Sequence, residues 1–261
     1  MADGWLQPDW TGKPTDLRGQ VALITGASQG IGWAIAETLA AAGADIVLNH
    51  YGATADTVEQ ALRSVQQLGR RVLPAEADVA CSSAVAAMVE RAASEFGRID
   101  ILVNNAGISP EFPLEQTTDD IWDRVLAVNL KGQFLVCQAV VPHMRAAGYG
   151  RIVNIASEQG LIGAADMSAY CASKAGVFGL TKALARELAP AGILVNCVAP
   201  GPVDTAMLAD RDRTPELASR IPLGRIGRPE EIAFAVLFLA SPQTTWTTGQ
   251  IHSPNGGLVM Q

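Results

Sequence analysis

The stretch from Val21 to Gly32 constrains the fold more than any other part of the sequence. A strand-type run, Val21-Ala22-Leu23-Ile24-Thr25, passes straight into Gly26-Ala27-Ser28-Gln29-Gly30-Ile31-Gly32, and an apolar-periodic stretch to Ala42 follows. Three glycines spaced G-x3-G-x-G let a backbone turn sharply and approach other groups without Cβ clashes. The free N–H groups that open the next helix then face an anion, favoured by the helix dipole. An ordinary tight turn can use the same glycines. A strand before and a helix after are the context in which such a turn holds a dinucleotide.

The rest of the chain keeps this alternation. Short apolar runs at Asp45–Asn49, Arg71–Ala75, Ile99–Val103, Arg151–Ile155, Ile193–Val198 and Gly249–His252 read as further strands. Between them lie helical stretches at Thr54–Leu68, Ser82–Phe96, Asp119–Ala147, Ser168–Leu188 and Pro229–Leu239. The longest is expected to be interrupted or shifted near Pro142, which removes a helical donor. Strands alternating with helices are the signature of parallel βαβ units. The expected fold is α/β: a doubly wound, Rossmann-type single domain over residues 19–261, with helices on both faces. Residues 1–18, with Trp5 and Trp10 but no apolar segment, read as an N-terminal extension, neither a signal peptide nor a membrane span.

Composition narrows the partners. Lys and Arg number 19 against 26 Asp and Glu, a formal charge of −7 without long like-charge runs. No basic stripe exists to neutralise a phosphate backbone, so nucleic acid is not an expected partner. Cys81, Cys137, Cys171 and Cys197 are scattered and read as reduced thiols of a cytoplasmic protein. His50, His143 and His252 form no local zinc motif, and no metal is expected.

The segment TGASQGIG resembles the TGxxxGxG signature of the short-chain dehydrogenase/reductase family. Asp78-Val79, Asn104-Asn105-Ala106-Gly107, Asn129, Ser157, Tyr170, Lys174 and Pro200-Gly201 follow in that family's order and spacing. The resemblance runs from Gly19 to Met260. It implies about seven parallel strands, a bound nicotinamide dinucleotide, and assembly into homotetramers or dimers.

Tyr170 and Lys174 stand four apart in a helical segment, which puts both side chains on one face. A phenol with an unperturbed pKa near 10 is a poor base at neutral pH, and a nearby cation favours the phenolate. Ser157, thirteen residues before Tyr170 and just past a strand, can donate to the same substrate oxygen. Each residue alone has a plainer reading, as a surface pair or a helix cap. By resemblance, Tyr170 is the general acid/base, Lys174 tunes it and contacts the nicotinamide ribose, Ser157 orients substrate, and Asn129 holds a water of the proton relay. Also by resemblance, Gly26, Ser28, Gln29, Gly30, Ile31 and Gly32 hold the pyrophosphate side of the cofactor. Asp78 and Val79 frame the adenine, and Asn105, Ala106 and Gly107 close on the adenosine ribose. Pro200, Gly201, Val203 and Thr205 cover the nicotinamide.

Cofactor choice is expected at the end of the second strand, about twenty residues past the turn. The sequence there is Leu48-Asn49-His50-Tyr51-Gly52, with no carboxylate to repel a 2′-phosphate. Asn49 and His50 are the candidate contacts, and the missing carboxylate favours NADP(H) while leaving NAD(H) possible. A substrate lid is expected around residues 203–225, with pocket walls from Glu158, Gln159 and Ile108–Phe112. The expected reaction is hydride transfer on a small alcohol, polyol or ketone. One rival is a 3-oxoacyl-carrier-protein reductase: Arg186 is available to an acidic carrier, but Leu135 stands where carrier-binding relatives tend to have Arg. A rival of another class is a non-catalytic dinucleotide-binding regulator, which would be expected to have lost Tyr170 or Lys174.

Overall fold

The computed structural model describes residues 15–208 and 214–260. Seven strands form one parallel sheet in the order β3-β2-β1-β4-β5-β6-β7. They are β1 Val21–Ile24, β2 Asp45–His50, β3 Val72–Glu76, β4 Ile101–Asn104, β5 Gly150–Ile155, β6 Ile193–Val198 and β7 Ile251–His252. The helices are α1 Gly30–Ala41, α2 Ala55–Gln67, α3 Ser82–Phe96, α4 Asp119–Leu126, α5 Gly132–Ala147, α6 Gln159–Ile162, α7 Ser168–Leu188, α8 Pro215–Arg220 and α9 Pro229–Ala240. Strand order reverses at β1, which pairs with β2 on one side and β4 on the other. A crevice at such a switch point, past the carboxyl ends of the strands, is where ligands bind in open α/β sheets.

Strand alternation divides the core into two layers, because successive side chains leave opposite faces. Ala22, Ile24, Ile46, Leu48, Ile101 and Val103 pack beneath α1 and α9. Val21, Leu23, Val47, Leu102 and Val195 pack against α3, α5 and the end of α7. Pro74 sits in β3, an edge strand of this sheet, where a missing donor is tolerated. Leu17 is fully buried in the α1 layer and its N–H donates to Ala42 O at 2.8 Å, so the chain joins the packed body before Gly19. Residues 1–14 of the expected extension, with Trp5 and Trp10, lie outside the described residues.

The expected break near Pro142 falls elsewhere. Pro142 sits inside α5, where both it and Gln138, whose carbonyl loses its donor, are exposed to water. The helix is instead interrupted by a π-helical turn at Ala127–Lys131, which widens it by one residue. The stretch Asp119–Ala147 is long and apolar enough to cross a bilayer. Here its apolar side is spent on packing, with Val136, Val140 and Met144 fully buried in the core.

Candidate active site

The glycine turn is shaped by what crowds it. A Cβ on Gly32 would lie 2.2 Å from Gly26 O and 2.5 Å from Asn105 Nδ2, so only glycine fits. Gly26 and Gly30 have φ of 62° and 56°, the left-handed region that side chains disfavour. Asn105 Nδ2 donates to both Thr25 O and Gly26 O at 3.0 Å. The Thr25 hydroxyl accepts the N–H groups of Asn105 and Ala106 at 2.9 and 3.0 Å. The turn is thereby tied to the loop after β4. Ala27 and Ser28 are buried, whereas Gln29 is exposed at the N-cap of α1, without a side-chain cap. Neither an acidic side chain nor a cap competes for the first N–H groups of α1, and the surface left by Gly30 faces Thr205. A cradle of this kind fits a pyrophosphate.

At the end of β2 the asparagine carboxamide is committed inward. Asn49 Oδ1 accepts from Gly26 N at 3.2 Å, and its Nδ2 donates to Ala75 O and Ala77 O at 3.0 and 3.1 Å. It joins the turn to β3 rather than reaching beyond the strand. His50 is half-buried, and its Nδ1 is buried without a partner. Parallel register pairs His50 with Glu76, so an exposed carboxylate stands one strand away from the position where the local sequence has none. Asp78 accepts from Ala80 N at 2.9 Å and pairs with Arg124 of α4 at 2.9 Å. Val79 packs on Gly132, where a Cβ would come within 2.8 Å of it.

The π-helical turn positions Asn129. Its Oδ1 accepts from Ile108 N at 2.8 Å, and its Nδ2 donates to Ile108 O at 2.9 Å and Ser173 Oγ at 3.1 Å. Gly107 lies over this group: a Cβ there would be 3.4 Å from Asn129 Oδ1 and 3.5 Å from Lys174 Nζ. Lys174 Nζ donates to Ile155 O at 3.0 Å and sits 5.6 Å from the centre of the Tyr170 ring. Ser157, just past β5, stands close enough to the Tyr170 phenol to favour its ionisation, and accepts from Gln159 N at 3.2 Å. Asn129, Ser157, Tyr170 and Lys174 thus come together beside the glycine turn.

The electrostatics differ from the expectation. Burial pushes the Tyr170 phenol up to about 12, against the opposing influence of the Ser157 hydroxyl, and Lys174 is not among the groups that shift it. Burial also pushes Lys174 down to about 8. Desolvation outweighs the neighbouring charge. Within the protein alone the phenol is held as a proton donor.

Pro200 and Gly201 follow β6. Glu158 N donates to Pro200 O at 2.9 Å, and Gly201 N donates to Pro254 O at 3.1 Å. Val203 is buried and bridges to Gly227. Of the expected lid, residues 209–213 lie outside the described residues, while α8 begins on a Thr214 cap. The lid end is clasped by the C-terminal loop, with Leu223 N donating to Gly256 O at 3.1 Å. That loop is a wall the sequence reading missed, as it missed Thr25, Arg124 and Ser173. Ser173, three residues after Tyr170 on the same helical face, is the one a spacing argument could have found. Leu135 is buried in the layer that α5 shares with α3. His143 rests near Glu90 of α3, 3.7 Å away. Among the described residues no group of three His, Cys, Asp or Glu is placed to hold a metal.

Comparison with known proteins identifies the family. The family pattern described as enoyl-(acyl carrier protein) reductase matches residues 26–259. A 3-oxoacyl-[acyl-carrier-protein] reductase of Thermotoga maritima is 42% identical over 249 residues, covering 94% of this chain and 99% of that one. The cis-4-hydroxycyclohexanecarboxylate dehydrogenase of Sinomonas cyclohexanicum is 44% identical over 241 residues, 91% of this chain and 96% of that one. A short-chain type dehydrogenase/reductase from Mycobacterium marinum has the same fold, with a TM-score of 0.90, 37% identity, and coverage of 95% and 98%. The chain belongs to the short-chain dehydrogenase/reductase family and is an oxidoreductase of alcohol or carbonyl carbons.

Proposed function

We propose that the chain transfers hydride between a nicotinamide dinucleotide and a small alcohol, polyol or ketone, with Tyr170 as general acid/base. The supporting observation is Lys174 Nζ 5.6 Å from the Tyr170 ring, with Gly107 set against both Lys174 and Asn129 and the glycine cradle alongside. The dinucleotide, when bound, supplies or accepts the hydride. Gly26, Gly30, Ile31 and Gly32 would seat its pyrophosphate, Ser28 and Gln29 flanking them. Asp78, Val79, Asn105 and Ala106 would border the adenosine, and Gly107, Pro200, Gly201, Val203 and Thr205 the nicotinamide side. Ser157 orients the substrate oxygen, and the protonated phenol of Tyr170 donates to it as a carbonyl is reduced. Asn129 holds Ile108 and Ser173 in place behind the pair. NADP(H) is the favoured form, because β2 ends on Asn49 and His50 rather than on a carboxylate, although Glu76 stands opposite His50 on the neighbouring strand. We place the protein in the cytoplasm, consistent with four free cysteines, and assign it a homotetramer in keeping with the family.

A second reading, reduction of 3-oxoacyl groups on a carrier protein, is favoured by relatives of that name at 42% identity over nearly their whole length. The test is a panel of small ketones, alcohols and one 3-oxoacyl thioester, each with NADPH or NADP and NADH or NAD, followed by absorbance of the reduced nicotinamide. The parent turns over small substrates, and Tyr170→Phe loses about 10²–10⁴-fold in rate while still binding the dinucleotide. Turnover of the thioester alone supports the second reading. A Tyr170→Phe rate within a few-fold of the parent overturns the assigned chemistry.

A further inference from the structure

Glu158 stands apart from the other charged residues around the site. It directly follows Ser157, and only 3% of its surface is exposed. Its Oε2 is buried without a hydrogen-bond partner, and so is Oε1 of the next residue, Gln159. The carboxylate lies against the turn after β6, where a Cβ on Gly201 would come within 3.1 Å of Oε2. It is also close enough to Tyr170 for its charge to oppose ionisation of the phenol. Burial pushes the carboxyl up to about 7, opposed by the charge of Arg220 at the end of α8.

A buried carboxylate oxygen without a donor is unfavourable, and such groups call for an explanation in native structures. The orphaned oxygen lies against Gly201, and its charge acts on the Tyr170 phenol, which sets it next to the place where a substrate oxygen would meet that phenol. We propose that Glu158 accepts a hydrogen bond from a hydroxyl on the carbon next to the reacting carbon, selecting α-hydroxy ketones and vicinal diols over simple ketones and alcohols. The proposal rests on the oxidoreductase reading above, with the reacting oxygen on Tyr170. An alkyl neighbour leaves the carboxylate unpaired, whereas a hydroxyl gives it a charge-assisted bond, about twice as strong as a neutral one. Sites built to bond a substrate hydroxyl reject analogues that lack it for this reason. Gln159 Oε1 offers a second acceptor to a longer polyol.

The test compares reduction of acetoin and 2-butanone, a pair differing by one hydroxyl, at pH 8.5, where the carboxyl is ionised. The ratio of their kcat/KM values is measured in the parent, in Glu158→Met and in Glu158→Gln. Reading the change in this ratio between proteins cancels the different intrinsic reactivity of the two ketones. The ratio is expected to fall by about tenfold or more in Glu158→Met, the scale of a hydrogen bond to a charged group. In Glu158→Gln, which keeps a neutral acceptor, it falls by about threefold or more. Should Glu158→Met fail to fold, the Gln ratio decides alone. Turnover of both ketones with the ratio changed less than about threefold in both variants, or in Gln when it alone folds, overturns this proposal and leaves the reaction class standing. Turnover of neither ketone by the parent, with either cofactor, overturns the small-ketone reading and this proposal with it.

Discussion

Replacing Glu158 with glutamine is expected to change how stability depends on pH. The carboxyl's ordinary value is 4.5, and burial raises it to about 7 in the folded protein. The unfolded chain therefore releases this proton near 4.5, while the folded protein holds it until about 7. Between those values the folded state binds more protons, so the group's contribution to stability falls as pH rises. The penalty is absent well below 4.5 and complete above about 7. Each pH unit of this separation is worth about 1.4 kcal/mol. Integrated from pH 5 to pH 8, the parent loses about 2–3 kcal/mol that the glutamine variant does not. Urea unfolding of both proteins at one chain concentration, at half-unit pH steps, gives the difference directly. Other titrating groups cancel in that difference, and any constant cost of the buried amide shifts it without changing its slope. A difference flat within about 0.5 kcal/mol across the range would show that the carboxyl is solvated or paired, and the argument from burial would fall.

Three further perturbations address the rest of the site. Gly32→Ala drives a methyl group to within 2.2 Å of Gly26 O; it should destabilise the fold by about 1–3 kcal/mol and abolish tight dinucleotide binding, and an unchanged melting temperature with unchanged fluorescence titration would refute the cradle. Lys174→Met removes the amine beside Tyr170 and Gly107; dinucleotide affinity should fall while the basic limb of the pH–rate profile stays in place, so an unchanged affinity contradicts its assigned ribose contact. His50→Asp adds a carboxylate at the end of β2 and should shift the NADP(H)-to-NAD(H) efficiency ratio toward NAD(H) by about tenfold or more, since one charge readily supplies 1.4 kcal/mol. An unchanged ratio would show that His50 points away from the ribose.

The succession of strands and helices, the glycine turn and the pairing of Tyr170 with Lys174 were legible because each depends on local spacing. The features that escaped depend on neighbours distant in sequence. Helical periodicity runs smoothly through Asp119–Ala147, so a one-residue widening at Ala127–Lys131 leaves little trace, while Pro142 is a conspicuous but harmless signal on an exposed face. Asn49 reads as a free polar residue until β3 supplies the carbonyls of Ala75 and Ala77. The expectation that Lys174 lowers the Tyr170 pKa treated charge and ignored desolvation, which wins once both side chains are buried.

The latch between Thr25 and Asn105 has a consequence for assembly of the molecule in time. Its partners are separated by 80 positions, so the cradle cannot close on a nascent β1–α1–β2 fragment. Helices and neighbouring turns form early, whereas a contact of this span waits for the intervening chain to be collected. An emerging polypeptide therefore carries its glycine loop in an open form until β4 docks beside β1. A nucleotide that needs the closed loop has nothing to select before that moment, and afterwards it adds its binding free energy to the completed sheet. Ligand present during refolding should thus leave the early collapse rate alone and act on the fraction of chains that finish.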